Sequence, residues 1–354
     1  PNPTQQGVGF NETFSWDIPL IEGYKWQLLS NSVKKPCLDG FFSNRVSNID
    51  RVFKKDTPNV VILTGWQSFS LLQALWACKR SRTPCLVRGD SNVLKPRSLP
   101  LQFFHRILLS CYDGFLAVGC YNRKFYLKNG IKKKLIFDCP HFIDNIRFFQ
   151  QSVKLREMKE AIRASWSIPL KATCFVYAGK IVPKKRIFDL LRSLQKAIKV
   201  KTPLYLLVVG TGRLLAAASS FVAERKLPVT FAGFLNQTEI ARAYVAADCL
   251  VLPSDYGETW GLVVNEAMAC GLPAIVSDRV GCGPDLVNEG MTGSIFPFGD
   301  VDALANKILD AASDHGKLRK MGESARTRVF NDYSVERAVK GTIKALESIV
   351  GPLR

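Results

Sequence analysis

Short apolar runs alternate with amphipathic stretches along this chain of 354 residues. The runs Asn59 to Thr64 (NVVILT) and Cys174 to Ala178 (CFVYA) are mostly apolar, which is typical of strands buried on both faces of a parallel sheet. Stretches such as Ser68 to Lys79 carry apolar residues at helical spacing. Because strands and helices alternate in this way, the sequence predicts a parallel α/β architecture.

The first half of the chain contains further predicted strands at Tyr24 to Leu29, Pro84 to Arg88 and Phe115 to Val118. The helix predicted at Leu99 to Cys111 (LPLQFFHRILLSC) is apolar over most of its length, so we expect it to face the core. Lys132, Lys133 and Lys134 form a compact cationic cluster before the last predicted strand of this half.

A polar, charge-rich stretch without strands separates the two halves between Asp144 and Ile168. We therefore predict two doubly wound domains that face each other across a cleft. The predicted boundaries are residues 1–150 for the first domain, 151–170 for a linker, 171–332 for the second domain and 333–354 for a C-terminal helix that crosses back to the first.

The composition fits two ordinary domains, since 47% of the residues are hydrophobic. No run approaches the roughly 18 apolar residues needed to span a bilayer, and the polar opening PNPTQQG does not resemble a signal peptide. The sequence therefore predicts a cytoplasmic protein. The ten Cys are scattered without a CxxC pair and there are three His, so neither a zinc site nor a disulfide framework is indicated.

The formal net charge of +19 is concentrated in the first half of the chain. Residues 1–165 carry 25 Lys and Arg against 12 Asp and Glu, whereas residues 166–354 carry 24 against 18. A field of this sign attracts phosphates, nucleic acid or an anionic membrane face. The alternative is a soluble surface that is cationic without a partner.

The chain opens on a loop-like segment, QGVGF, that contains Gly7 and Gly9. In an open α/β sheet an apolar strand precedes such a loop, so we expect that the first strand of the first domain is missing. Gly7 and Gly9 would then mark the first strand-to-helix turn, where the backbone can approach a substrate. A flexible polar terminus is the alternative.

The most informative stretch is Leu250 to Leu286, which combines a strand, a loop, a helix opening near Gly261 and a strand at Ala274 to Ser277. Such a crossover unit binds ligands at the carboxyl ends of its strands. Glu258 lies in the loop and Glu266 lies on the helix, so two carboxylates flank one helix N-terminus. The alternative is that Glu258 caps the helix and Glu266 is solvated.

Cations and glycines occupy the corresponding loops earlier in the second half. Lys180, Lys184 and Lys185 follow a strand and precede a helix, a position suited to phosphate oxygens. The turn Gly210-Thr211-Gly212 lacks the third glycine of a dinucleotide-binding fingerprint. Asp300-Val301-Asp302 matches the DxD motif that binds a divalent metal ion in some metal-dependent enzymes. Because it directly precedes a predicted helix, we instead expect Asp300 to cap the helix and Asp302 to be an acidic residue of its first turn.

These segments, in their order and spacing, resemble the donor domain of glycosyltransferase family 4. The resemblance rests on GKIVPKKRIFDLL, LLVVGTGRL and VTFAGFLNQTEIARAYVAADCLVLPSDYGETWGLVVNEAMACGLPAIVSD. The family signature of two glutamates separated by seven residues is matched by Glu258 and Glu266, with ETWG in place of the usual EGFG. The first half resembles the family more loosely, through the glycine loop and HFIDNIRF.

The resemblance implies a GT-B fold and a glycosyltransferase that uses a nucleotide-diphosphate sugar without a metal or other cofactor. It implies that Glu266 binds the ribose hydroxyls, that Glu258 contacts the sugar, and that Lys180 and Lys185 hold the diphosphate. An acceptor glycan or lipid-linked acceptor would bind the basic first half. The implied donor-binding set is Lys180, Lys185, Gly210, Gly212, Phe234, Leu235, Glu258, Thr259, Trp260, Gly261, Leu262 and Glu266.

The family's usual reaction is transfer with retention of configuration, in glycan, polysaccharide or glycolipid biosynthesis. Many relatives have a His in the loop where this chain has RGDSN, and Asp90 is the candidate substitute for that His. If Asp90 acted as a general base, the reaction could instead proceed with inversion of configuration.

The alternatives to a glycosyltransferase are a sugar-nucleotide epimerase of the same fold and a non-catalytic subunit that binds nucleotide sugars. Basic charge together with Phe103 and Phe104 also permits peripheral contact with an anionic membrane. Nucleic acid is not an expected partner.

Overall fold

A computed structural model describes residues 13–33, 40–200 and 202–352 of the chain. The described residues form two compact units. Among them, the first-half unit comprises residues 21–33, 40–141 and 336–352, and the second-half unit comprises residues 13–20, 142–200 and 202–335. Gly7 and Gly9, the predicted substrate loop, lie outside the described residues.

The first-half unit is built on a four-stranded parallel sheet in which the strands lie in chain order, β1-β2-β3-β4. Its strands are β1 (Val61–Leu63), β2 (Cys85–Val87), β3 (Gly114–Ala117) and β4 (Ile136–Asp138). Its helices are α1 (Ile49–Asp56), α2 (Phe69–Ser81), α3 (Leu99–Leu109) and α4 (Cys120–Lys128). The order of the described strands shows no reversal, so a doubly wound arrangement is seen only in the second-half unit.

The last helix, α14 (Val335–Val350), packs with the first-half unit through Ala338 and Ala345, which join Leu86 and Leu116 in one buried cluster. Gly341 makes this contact possible. A Cβ at that position would lie 1.7 Å from the carbonyl oxygen of Asp138, so any side chain would push the helix away from β4.

The second-half unit contains a six-stranded parallel sheet with the order β10-β9-β8-β5-β6-β7. Its strands are β5 (Thr173–Ala178), β6 (Leu204–Val209), β7 (Val229–Gly233), β8 (Cys249–Leu252), β9 (Ala274–Ser277) and β10 (Gly293–Phe296). The strand order reverses between β5 and β8. Ligands of open α/β sheets bind outside the carboxyl ends of the strands at such a reversal.

Nine helices surround this sheet among the described residues of the unit. They are α5 (Asn145–Arg156), α6 (Lys159–Ser165), α7 (Ile187–Ala197), α8 (Leu215–Glu224), α9 (Ile240–Ala246), α10 (Leu262–Ala269), α11 (Gly283–Leu286), α12 (Val301–Ser313) and α13 (His315–Asp332). Both faces of the sheet are covered, since buried apolar side chains form one cluster on each side of β5.

Three expectations from the sequence differ from the structure. Tyr24 to Leu29 forms no strand, and three of its apolar side chains are exposed, those of Tyr24, Trp26 and Leu28, with Leu28 at 86%. Helix α3 does not bury its apolar residues as expected, because only His105 and Leu109 are buried. The compact units divide after residue 141 rather than after residue 150, so that α5 packs against α9 and α10 of the second-half unit.

Within the described part of the chain, no helix is both long enough and apolar enough to cross a bilayer.

Candidate functional site

The loops at the strand reversal pack backbone to backbone, and glycines allow them to do so. Gly210 has φ of +124°, and a Cβ there would lie 2.1 Å from the carbonyl oxygen of Gly179. A Cβ on Gly212 would lie 2.6 Å from the carbonyl oxygen of Ile181. The GTG turn after β6 is therefore tied to the loop after β5 by packing, and its contact with a donor stays a prediction.

The loop after β5 carries the predicted phosphate-binding lysines. The hydroxyl of Tyr177 donates to the carbonyl oxygen of Lys180 at 2.8 Å, which fixes the start of the loop. Residues Pro183–Lys185 then form a short 3-10 turn ahead of α7. The side chain of Lys184 donates to the carbonyl oxygen of Gly257 at 3.3 Å, so this loop is bonded to the loop that follows β8.

Lys185 and Glu258, predicted to act on the diphosphate and on the sugar, form an ion pair with each other. Their side chains are 11% and 15% exposed. Burial from water strengthens such a pair, and it also makes each charge costly to leave without a partner. A phosphate that approaches Lys185 must therefore share the ammonium group with Glu258 or displace the carboxylate.

Glu266 lies on α10, which begins after Gly261 in the left-handed conformation with φ of +105°. The residue is 8% exposed, and its Oε2 accepts a hydrogen bond of 2.7 Å from the hydroxyl of Tyr244. Burial raises the pKa of Glu266, and hydrogen bonds from Tyr244 and Gln237 oppose this rise. The predicted alternative of a solvated helix residue is therefore wrong.

Arg147 supports Glu266 from α5, and the sequence did not identify it. Its Nη1 donates to the carbonyl oxygen of Gln237 and its Nη2 to Gln237 Oε1, both at 2.8 Å. Because Oε1 is occupied, the amide NH₂ of Gln237 is oriented to donate to Glu266. Arg147 was inside the quoted segment HFIDNIRF, but nothing in that segment indicated its target.

The remaining predicted donor-binding residues have different environments. Trp260 is buried, and its indole nitrogen donates to Asn265 Oδ1 at 2.8 Å, which gives it a structural role in the core. Phe234 packs on Phe14, with ring centroids 4.3 Å apart. Leu235 packs against the main core of the unit, and Leu262 is 42% exposed in the first turn of α10.

Thr259 is held by a close backbone contact. A Cβ on Gly281 would lie 1.8 Å from the carbonyl oxygen of Thr259, so the loop after β9 supports the ETWG segment directly.

Asp90 belongs to the first-half unit, where it is exposed in the loop after β2. The sequence missed a histidine close to this loop: Arg88 Nη2 lies 3.5 Å from His141 Nδ1, in the segment after β4. Burial and the charge of Arg88 lower the pKa of His141 to about 4, so its imidazole is neutral at pH 7. Carboxylate, guanidinium and imidazole are thus grouped at one edge of this sheet.

The motif Asp300-Val301-Asp302 has the predicted capping geometry. Asp300 Oδ1 accepts from the backbone nitrogen of Ala303 at 2.8 Å at the start of α12, and Asp302 pairs with Lys196. In the described ranges, no three His, Cys, Asp or Glu side chains are grouped so that they could hold a metal ion.

Comparisons with known proteins concern the family and the fold. Residues 158–328 match the family model of glycosyl transferases group 1. N-acetyl-alpha-D-glucosaminyl L-malate synthase of Bacillus anthracis is 28% identical over 201 residues, which cover 56% of this chain and 50% of that protein. The match spans half or less of the length of the first curated relatives.

Solved structures show the fold. A glycosyltransferase from Rickettsia africae ESF-5 aligns with a TM-score of 0.72 at 18% identity, over 85% of this chain and 79% of that one. Anabaena Alr3699/HepE, solved in complex with UDP and glucose, aligns with a TM-score of 0.66 at 18% identity, over 85% and 81%. These similarities confirm the predicted GT-B fold.

Proposed function

We propose that this protein transfers a sugar from a nucleotide-diphosphate donor to an acceptor hydroxyl, because residues 158–328 match the family model of the group 1 glycosyl transferases. The observation that carries the proposal is the position of Lys185, Glu258 and Glu266. All three lie at the carboxyl side of the sheet where its strand order reverses, and this is where such sheets bind nucleotides. The match to family 4 motifs and the UDP complex of a structural neighbour support the same donor class.

The second-half unit binds the donor in this proposal. Glu266 accepts hydrogen bonds from the ribose hydroxyls, because an ionised carboxylate has enough lone pairs for both. Lys180 and Lys185 hold the diphosphate. Glu258 contacts the sugar hydroxyls, and Phe234 and Leu235 lie against the base.

The reaction that fits these residues is transfer with retention of configuration and without a metal ion. The bond between the anomeric carbon and the diphosphate oxygen breaks, and the nucleoside diphosphate leaves with the electron pair. The acceptor oxygen bonds to the anomeric carbon on the same face and gives its proton to the departing diphosphate. Lys180 and Lys185 neutralise the charge that grows on the leaving group, an effect worth on the order of 10²-fold in rate.

The acceptor site belongs to the basic first-half unit in this proposal. Asp90, Arg88 and His141 are its polar candidates at the carboxyl edge of the sheet. The unit also presents an exposed apolar face on α3 beside basic residues, which suits a lipid-linked acceptor at the surface of an anionic membrane. In that setting the enzyme works as a peripheral protein in glycolipid or polysaccharide biosynthesis.

A thermal-unfolding screen of nucleotide sugars tests the donor assignment. A true donor at 100 times its dissociation constant stabilises the folded protein by about 2.7 kcal/mol. Glu266→Ala should abolish the shift for that donor, while the exposed-site control Glu157→Ala should keep it. A donor-dependent shift that survives Glu266→Ala would contradict the assignment of the ribose contact.

Product analysis with the donor found in this screen separates the three candidate functions. Sugar transferred to an acceptor supports the transferase. A free sugar-nucleotide isomer without transfer would identify an epimerase, and binding without turnover towards any acceptor would identify a non-catalytic subunit.

A further inference from the structure

A cavity of about 520 Å³ lies in the second-half unit, away from the candidate donor site. It is lined by Ala247 and Asp248, directly before β8, and by Leu272, shortly before β9. These positions are at the amino ends of parallel strands, whereas Lys185 and Glu258 lie at the carboxyl ends. The two sites are therefore on opposite edges of the same sheet.

Positive charge dominates the lining of this cavity. Asp248 is one of its two acidic residues and is already neutralised, because Arg163 Nη2 lies 2.6 Å and Lys159 Nζ 3.0 Å from its carboxylate oxygens. Glu323 is the other. The basic residues of the lining are His315 and four permanent cations, Arg156, Lys159, Arg319 and Arg326.

Three of these cations lack an acidic partner. Among the described residues, no carboxylate oxygen lies within 4.0 Å of the side-chain nitrogens of Arg156, Arg319 or Arg326. Like charges gathered in a concave site raise the local positive potential and so attract an anion. The cavity therefore has unused charge that a ligand can neutralise.

Two of the guanidinium groups converge on the end of α10. Arg156 Nη2 and Arg326 Nη1 lie 3.5 and 3.7 Å from the position that a Cβ on Gly271 would occupy. The carbonyl groups at a helix C-terminus attract cations, which accounts for these two side chains without a ligand. It does not account for Arg319, which shares one face of α13 with Glu323 and Arg326.

We propose that this cavity, between Arg156 on α5 and Arg319 and Arg326 on α13, binds a small soluble molecule that carries phosphate. Arginine matches phosphate oxygens with two parallel hydrogen bonds, and the volume lies in the usual range of about 300–1,000 Å³ for small-molecule sites. The apolar residues of the lining, such as Val245, Leu272 and Leu318, are buried. No apolar side chain is thus available to enter a bilayer, which favours a soluble phosphate over a lipid headgroup.

Inorganic pyrophosphate serves as the probe, with binding measured by calorimetry and thermal unfolding at constant ionic strength. Because pyrophosphate also suits the donor site, the measurements use the full chain with Lys180→Ala and Lys185→Ala. This variant should still bind pyrophosphate with saturation. Adding Arg156→Gln and Arg319→Gln should weaken binding at least tenfold, since two charge-assisted contacts are lost.

Two further variants separate a ligand site from a helix-capping role. Glu323→Gln removes the unneutralised carboxylate of the lining, so it should tighten pyrophosphate binding. Lys199→Gln with Lys226→Gln removes the same number of exposed charges elsewhere in the unit and should leave binding unchanged. Should the double arginine variant unfold, Arg319→Gln alone provides the comparison, because this side chain is exposed.

The proposal is overturned if the lysine variant shows no saturable binding, or if the arginine and Glu323 changes leave its affinity unaltered. Binding to phosphatidylglycerol vesicles that requires Arg156 and Arg319 and is not displaced by pyrophosphate would instead identify a lipid headgroup as the ligand. None of these outcomes depends on whether the other edge of the sheet binds a nucleotide sugar.

Discussion

In the proposed donor site, Glu258 and Lys185 form an ion pair that a bound diphosphate must share or displace. Replacing the carboxylate by an isosteric amide, Glu258→Gln, frees the ammonium group of Lys185 for phosphate. We expect the affinity for the nucleoside diphosphate alone to rise on the order of tenfold, because the phosphate no longer competes with a carboxylate for the partly buried ammonium group. The sugar loses a carboxylate contact, so transfer should fall by a similar or larger factor.

Calorimetry with the nucleoside diphosphate and initial rates of transfer measure the two effects of Glu258→Gln. Glu289→Gln is the matched control, because Glu289 also pairs with a lysine, Lys307, but at the β10 edge of the sheet. If Glu258→Gln weakens diphosphate binding, the carboxylate orients Lys185 rather than competing for it.

In the proposed donor site, Arg147 acts only through other side chains. In Arg147→Met, Gln237 loses both hydrogen bonds from Arg147, and Glu266 loses an aligned amide donor and a nearby positive charge. We expect nucleoside diphosphate affinity to fall about tenfold, as for one or two lost hydrogen bonds, and the pKa of Glu266 to rise further. Binding of inorganic pyrophosphate, which has no ribose, should not change.

The matched control for Arg147 is Lys154→Met on the exposed side of the same helix. Calorimetry with both probes gives the comparison. Equal losses for pyrophosphate and nucleoside diphosphate would mean that Arg147 supports the unit as a whole and does not position Glu266, the carboxylate proposed to bind the ribose.

The buried carboxyl group of Glu266 also makes stability depend on pH. Its folded pKa is raised by burial, so the folded state binds more protons than the unfolded state as the pH rises from about 4.5 to the folded pKa. The wild-type protein loses stability over this interval, by about 1.4 kcal/mol for each pKa unit of the rise. Relative to wild type, Glu266→Gln should therefore become more stable with rising pH.

Denaturant unfolding between pH 4 and 8 measures this difference, with the exposed-site variant Glu157→Gln as the reference. The difference should level off above the folded pKa. A difference that stays flat across the whole range would show that burial does not shift the titration of Glu266.

At the scale of elements, sequence patterns located the strands better than they located the helix faces. The predicted strand at Ala274 to Ser277 has the observed bounds. Pro273 on one side and a polar turn on the other limit the short apolar run, so both ends of the strand could be placed from the sequence. Tyr24 to Leu29 has strand-like composition, but strand formation needs a neighbouring strand, and composition does not supply one. Periodicity likewise marked α3 as a helix without showing which side is covered.

The residues of the candidate site that could not be predicted from the sequence are those that depend on contacts between distant parts of the chain. Glu258 and Glu266 were found because their spacing is local and matches a family motif. Arg147 and Gln237 both lie in segments that carry the family resemblance, but they are 90 positions apart and neither segment indicates the other as a partner, so their hydrogen bonds became visible only in the structure. His141 was missed for the same reason, since its neighbour Arg88 is 53 positions away.

At the scale of the whole molecule, the uneven charge and the exposed face of α3 favour attachment to an anionic membrane. Leu99, Phe103, Phe104 and Ile107 are 80%, 66%, 51% and 53% exposed on this helix. Arg106 on the same helix lies beside the Gly130 turn, which leads into the exposed lysine cluster at residues 132–134. Apolar side chains and cations together are the features of an interfacial helix.

Co-sedimentation with phosphatidylglycerol vesicles tests this attachment. Wild-type protein should bind at low salt and dissociate as salt rises, because screening shortens the reach of the lysine charges. Phe103→Ser with Phe104→Ser should weaken binding at least tenfold, since roughly 1.5 kcal/mol, the lower end for fully burying one Phe side chain, already corresponds to about that factor. Leu28→Ser, at another exposed apolar site of the first-half unit, should have no effect; equal binding by all three proteins would exclude α3 as the contact.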